Sequence, residues 1–480
     1  KEYKKLFFSL RNKLSIQSCQ FYMPLFSLYY YIHNTKNSHK VIDFQRKYYL
    51  TELTNITKER YYNSNILGEG IIYNSGTHTF QSEKLFCKCI PLIDPIQQLN
   101  NNYNFNSHLN HHLPSGYNYN TFHKINNMNN MAYIDVFCSY LCSQVTQLNL
   151  NPSFPLFYGS VNGIGDYNFD ITEDYHHLRM DKCFNQNMGK GFVLDVYMSD
   201  SDSDSSHSNS SHSNSSHSNS SHSNSSHSNI SHSNSSCSSY NHDDYIAKLK
   251  NIPLQYLFIE QLEGTLEDYL LDRDFQEEVL LSGLFQITFA LSYLQKKYQF
   301  THNDLHINNI MYTTTNKPYL YYKLNNTYFK VPTYGKLFKI IDFGRAIFTF
   351  KNKIYMNDVF EKNGEAGGQY TYPNQISFFQ EKEQKIIKPN YHFDLCRLSM
   401  TILEEINLDK LSDNLHNLLK YMCSDKDNQS FCDLHDNFDL YISISQFACH
   451  ALPRFILEHD LFKQYRIKKK YFPLKSYYSL

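Results

Sequence analysis

The stretch THNDLHINNIMY, residues 301–312, sets Asp304 and Asn309 five positions apart among apolar neighbours. A loop that offers Asp304 as a proton acceptor and Asn309 as a metal ligand needs about this spacing. A polar turn between two core elements would have the same composition. Thirty-three residues after Asn309, IIDFGRA places Asp342 at the end of an apolar strand, with Gly344 free to turn the chain sharply. A carboxylate at a buried strand end is costly unless it meets a cation. Asp304, Asn309 and Asp342 together form a set of hard oxygens suited to Mg²⁺, which takes carboxylates alongside phosphate oxygens and water. Asp-Phe-Gly alone is a weak signal; downstream of His-x-Asp-x-x-x-x-Asn and an amphipathic helix, it is a strong one.

The elements that would position these groups are legible as periodicities. EEVLLSGLFQITFALSYLQKKY carries Leu280, Leu284, Ile287, Leu291 and Leu294 on one stripe, a helix that leads directly into the loop. KLFKIIDFG predicts the strand that delivers Asp342. Upstream, residues 66–73 and 84–92 predict strands, YIDVFCSYLCSQVTQL a helix, and LQYLFIEQL (254–262) a buried strand. Beyond residue 390 the apolar spacing is mostly helical.

On these residues the chain resembles the eukaryotic-type protein kinases. His302, Asp304 and Asn309 match the family's catalytic loop, and Asp342-Phe343-Gly344 its metal-binding tripeptide. The resemblance implies that Asp304 orients and deprotonates the attacking hydroxyl while Asn309 and Asp342 hold Mg²⁺ on the ATP phosphates. ILGEGIIY is similar to the glycine-rich loop over the phosphates, with Gly68 and Gly70 in a turn between strands and Tyr73 at the third glycine position. LFCKC selects Lys88 for the α- and β-phosphates, against the alternative of an edge-strand lysine that snorkels. Asp135 is the candidate partner of Lys88, or else a first-turn acid favoured by the helix dipole. IEQLEGTLEDYL is similar to the hinge, so that backbone groups of Glu260 to Leu262 would meet adenine and Ile259 would guard the back of the pocket. Asp394, in YHFDLCRLSMTIL, matches the buried acid that ties down the catalytic loop. Two segments, THNDLHINNIMY and YFKVPTYGKLFKIIDFGRAI, look most like the serine/threonine kinases of large DNA viruses.

The departures matter as much. Asn303 stands where kinases switched on by phosphorylation carry Arg, and it has no charge to recruit a phosphate. His306 replaces the lysine that neutralises the γ-phosphate; if it faced that phosphate, its pKa would be expected to rise. GEAGGQYTYPNQ (364–375) lacks the family's Ala-Pro-Glu. Three functions remain open: a protein kinase acting on Ser/Thr hydroxyls, a small-molecule phosphotransferase of the same fold, and a pseudokinase that acts as a binding module. The fold expected is α+β and two-lobed, with a small antiparallel β lobe carrying one main helix and a larger, mainly helical lobe.

The bulk properties are compatible. A chain of 480 residues with formal net charge -1 buries a large core and carries no long-range field toward nucleic acid or an anionic membrane. FYMPLFSLYYYI (21–32) is too short to span a bilayer. Eleven irregularly spaced cysteines point to a reducing compartment rather than a disulfide framework, and Cys87-x-Cys89 lacks the second pair a zinc site wants. The expectation is a soluble intracellular protein, in host cytoplasm or virion if viral, with ATP, Mg²⁺ and a protein substrate as partners. Its organisation would be a helical extension over 1–60, a small lobe over 61–262 and a large lobe over 263–480. An Asn-rich insert at 99–131 and a Ser/His/Asn repeat at 199–239 interrupt the small lobe. The repeat has too little apolar content to offset ordering entropy, and its five-residue His spacing gathers no helical face.

Overall fold

The computed structural model describes residues 2–24, 45–59, 63–103, 119–197, 243–372, 387–434 and 437–480. The fold is α+β. Helix α1 (Glu2–Leu14) and strand β1 (Gln17–Gln20) precede three long antiparallel strands, β2 (Tyr48–Glu59), β3 (Ile66–Asn74) and β4 (Thr79–Pro91). Helices α2 (Tyr119–Asn126) and α3 (Met131–Gln147) lead to β5 (Phe157–Asp170), β6 (Phe192–Tyr197) and β7 (Asp244–Glu260). The sheet runs β1-β5-β7-β4-β3-β2, with β6 also pairing β7, and every pairing is antiparallel. Strand β3 alternates buried and half-buried side chains along its length, as a strand with one face on a core must. The IPLQYLF part of β7, residues 252–258, is buried on both faces, as its largely apolar run requires.

Two short elements, β8 (Gly264–Thr265) and α4 (Leu266–Leu271), start the second half of the chain. Helix α4 is held by a capping box between Thr265 and Asp268. Helix α5 (Glu277–Tyr298) follows, and its five stripe leucines and isoleucine are all buried. Its other faces are buried too: a Cβ on Gly283 would come within 2.9 Å of the Phe338 ring. Strands β9 (Ile310–Thr314) and β12 (Lys336–Ile340) pair with each other, with β8 beside β9, while β10 (Tyr319–Leu324) and β11 (Thr327–Pro332) form a hairpin between them. Helices α6 (Phe393–Glu405), α7 (Asp413–Met422) and α8 (Asn437–Phe447) complete the helical part.

The apolar side chains divide into two main cores. One lies on the sheet under α1; the larger joins α3 to α5, α6 and the later helices. Among the described residues no helix is long and apolar enough to cross a membrane.

Three sequence expectations change. Among the described residues the segment 1–60 is helical over Glu2–Leu14 alone; Tyr48–Glu59 is a strand of the main sheet, paired from Tyr48↔Asn74 to Glu59↔Ile66. The Asn-rich insert 99–131 is not wholly irregular. Residues 119–126 are helical, and Asn130 is a buried N-cap for α3, its side chain accepting from Ala132 N and donating to Leu92 O at 2.8 Å. Gly68 and Gly70 sit inside β3, not in a turn. The Ser/His/Asn repeat, with His207, His212, His217, His222, His227 and His232, lies outside the described residues.

Candidate active site

The loop after α5 is pinned by the acid of α6. Asp394 is fully buried and accepts from the backbone amides of His302 at 2.9 and 3.0 Å and of Asn303 at 2.9 Å. Burial pushes its carboxyl above the usual range, partly offset by His302 and these amides. The His302 ring reaches across to Ile341 O at 2.9 Å, linking the loop to the end of β12. Asn303 adopts φ 63°, a left-handed conformation that Asn tolerates, and donates to Thr301 and Arg345 carbonyls while accepting from the Tyr370 hydroxyl. Its amide thus ties the loop to the 345–370 segment without any charge.

Asn309 donates through Nδ2 to Asp304 O at 2.8 Å, so its side-chain oxygen is the atom left for a cation. Asp304 accepts from the Tyr441 hydroxyl of α8 at 2.9 Å. Burial alone would raise its pKa, but Arg345, His306 and this hydrogen bond hold it below the usual carboxylate range.

Lys88 and the two acids meet at full contact. Lys88 Nζ lies 2.7 Å from Asp135 Oδ2 and 2.7 Å from Asp342 Oδ1. Asp135 also accepts from Phe343 N at 3.1 Å and Ser139 Oγ at 3.3 Å, so α3 grips the 342–344 turn. Burial would depress the lysine, yet the two carboxylates raise it above its ordinary value. Asp342 is lowered by Lys88 against the effect of burial, whereas burial wins at Asp135, which is raised. Asp342 has φ 62°, a position the Lys88 contact and the Gly344 amide support.

These groups line a cleft of about 760 Å³ whose walls include Lys88, Asp135, Ile259, Glu260, Leu262, Asn309, Asp342 and Arg345. Asn65 and Leu67 come from the β2–β3 side, and His123, Lys124 and Asn127 from the end of the Asn-rich insert. Asp304, His306, Gly68 and Gly70 are not among the lining residues. Among the described residues no three His, Cys, Asp or Glu side chains form a metal cage. An ion held by one carboxylate, one amide oxygen and phosphates needs none, and Asp342 with Asn309 fits that demand.

Three site expectations are revised. Gly68 and Gly70 are required by a close neighbour: a Cβ at Gly68 would meet Asn55 O at 2.5 Å, and one at Gly70 would meet Glu52 O at 2.8 Å. Strand β2 bulges at both places, bringing its backbone inward. Glu260 gives its amide to Leu156 O and its carboxylate to Lys339 at 2.7 Å, so only the stretch after it has the freedom of a hinge. His306 is turned into its own loop. Nδ1 accepts from Asn308 N at 3.2 Å, Nε2 faces Asn309 Nδ2 at 3.0 Å, and burial lowers its pKa despite Asp304. The Asn308 amide is a fixed N–H donor, and a charged imidazolium, with a proton on each nitrogen, cannot accept it.

Arg345, Tyr441 and Arg397 were not picked out as site residues by sequence reasoning. Arg345 follows the Asp-Phe-Gly directly and was within reach of it; Tyr441, 137 residues from Asp304, gives no local signal.

No family model matches the sequence. A protein of Dictyostelium discoideum with the name probable serine/threonine-protein kinase is 30% identical over 146 residues, which are 28% of this chain and 12% of that protein. The chain thus spans about an eighth of that relative's length. The match supports a kinase-like relationship.

Proposed function

We propose that the protein is an ATP-dependent protein kinase with a two-lobed kinase fold, transferring the γ-phosphate to a Ser or Thr hydroxyl of a protein. The observation that carries this reading is the Lys88–Asp135–Asp342 contact, assembled from β4, α3 and the end of β12 on one cleft with Asn309. The two separate cores and the name of the Dictyostelium relative support it. Lys88 would meet the α- and β-phosphates, and Asp135 would hold it in place. Leu262 and its neighbours would face adenine, with Ile259 at the back. Mg²⁺ on Asn309 and Asp342 would neutralise phosphate charge when bound. The acceptor oxygen attacks the γ-phosphorus as the bond to the β-phosphate oxygen breaks. The hydroxyl proton passes to Asp304, and ADP leaves with the electron pair. Tyr441 donates to Asp304 Oδ1, so an acceptor hydroxyl would use the other oxygen or displace Tyr441. A viral source rests on the two segments quoted above alone.

The test is transfer from γ-labelled ATP to mixed protein and small-molecule acceptors, with Asp342→Ala as control. Label on protein that disappears in Asp342→Ala supports the reading. Label on small molecules alone selects the small-molecule phosphotransferase, and nucleotide binding without any transfer selects a binding module.

A further inference from the structure

The kinase reading leaves a charge missing. A phosphate moving toward the acceptor needs a cation on that side, and His306 is neutral and turned away. The structure offers two others, both beside the Tyr441 ring that contacts Asp304. The Arg345 guanidinium lies 5.9 Å from the centre of the Tyr441 ring, and that of Arg397 lies 5.5 Å from it. Tyr441 in turn donates to Asp304.

The two arginines differ in what they can reach. Arg397 lies on α6, directs Nε to the Tyr441 hydroxyl at 3.5 Å, and is not among the cleft-lining residues. Its surroundings suit the holding of Tyr441. Arg345 lines the cleft with Lys88, Asn309 and Asp342. Its Nη2 meets Glu365 Oε1 at 2.5 Å, while its Nε is buried with no hydrogen-bond partner among the described residues. An N–H left unsatisfied in a buried guanidinium is costly unless a ligand completes it. Glu365 is about one-third exposed, so its carboxylate can turn to solvent when the guanidinium leaves it. Arg345 is also the foremost favourable charge on Asp304.

We propose that Arg345 is the catalytic cation that meets the transferring phosphate on the acceptor side of the cleft, with Glu365 holding the guanidinium until phosphate arrives. A planar fork suits phosphate oxygens, which a lysine would meet only as a point charge. This rests on the kinase reading above.

The experiment uses the full chain, with γ-labelled ATP, casein as acceptor, and a fluorescent N-methylanthraniloyl ATP to measure nucleotide binding. Arg345→Gln is expected to lower kcat about 100- to 1000-fold, the range for loss of one preorganised donor, with analogue affinity changed less than about threefold. Glu365→Gln breaks the same ion pair from the other end and is expected to cost far less in kcat. Arg345→Met, which keeps the packing of the stem, replaces Arg345→Gln if thermal melting shows that variant unfolded. Equal losses in Arg345→Gln and Glu365→Gln would reduce Arg345 to a structural role and overturn the proposal. A kcat within about fivefold of wild type in the Arg345 variant, with Asp342→Ala inactive, overturns it while the kinase reading stands. Wild type no more active than Asp342→Ala overturns both.

Discussion

At the residue scale the centre of the molecule is one cation between two acids. Lys88 spans Asp135, almost wholly buried, and Asp342, one-quarter exposed, and both contacts are 2.7 Å. Lys88→Met keeps the stem and leaves two carboxylates facing each other. Breaking a buried pair from one side costs about 3 kcal/mol, and urea unfolding at pH 7 is expected to show a loss of that order. Part of the loss should return as the pH is lowered, since the carboxyl of Asp135 is raised by burial and takes up a proton more readily than a free one; a loss below about 1 kcal/mol would mean the pair is solvated. Asp394 behaves differently because among the described residues it meets backbone amides and forms no ion pair. Its folded pKa is raised, chiefly by burial, so its contribution to stability is complete below the unfolded value of 3.8 and is lost as pH rises through the shifted value. Asp394→Asn cannot titrate. The urea-midpoint difference, wild type minus variant, should therefore shrink as pH rises above 3.8, and a constant difference would show that the carboxyl is not shifted. Asp342 and Asp394 are legible in the sequence because a charged residue in an apolar element demands a partner, whereas Asn309 comes from its spacing to Asp304 and Lys88 and Asp135 come from the family resemblance alone. His306 misled because its sequence position says nothing of where the ring turns. Once the Asn308 amide donates to Nδ1, the charge the ring was expected to carry has no place.

At the element scale the long, strongly periodic pieces were legible and the irregular ones were not. Helix α5 and strand β7 announce themselves by apolar runs that nothing but burial explains. Strand β2 does not. YYLTELTNITKE mixes polar and apolar residues because three irregularities in its register with β3 break the alternation. Those bulges also explain why GEG looks like a phosphate loop: the strand opposite comes too close for a side chain at 68 or 70. Gly70→Ala would bring its Cβ to 2.6 Å from Leu50 Cδ1 and 2.8 Å from Glu52 O, and backbone must shift. A loss of about 1–3 kcal/mol in stability is expected, the range for overpacking, while the folded fraction keeps its affinity for the fluorescent ATP analogue. A glycine loop over the phosphates would give the reverse, a large loss of affinity with little change in melting. The Asn-rich insert shows the same blindness to context. Its last residues are capped, buried or on the cleft wall because Asn130 serves two elements at once, accepting from α3 and donating to Leu92 O at the end of β4.

At the scale of the whole molecule, what matters is how a chain interrupted twice keeps its sheet in register. Strands β6 and β7 flank the Ser/His/Asn repeat, and they pair antiparallel from Phe192↔Leu249 to Tyr197↔Asp244. The two ends of the intervening segment are therefore held side by side by hydrogen bonds already made. Whatever lies between them has only to close a loop. Closure entropy grows as the logarithm of length, so cutting roughly 46 residues to about seven by deleting 200–238 removes roughly 1–2 kcal/mol of cost. The deleted residues are Ser, His, Asn and Asp with hardly an apolar side chain, so little burial is available to offset that gain. The deletion variant should melt at the same temperature as the full chain or a few degrees above it, with ATP-analogue affinity unchanged, since Lys88, Asp135, Asn309 and Asp342 of the cleft all lie outside the deleted stretch. Scanning calorimetry on the two proteins decides it. A melting temperature several degrees lower would mean that the repeat packs on the folded protein, and that the β6–β7 pairing depends on it rather than the reverse.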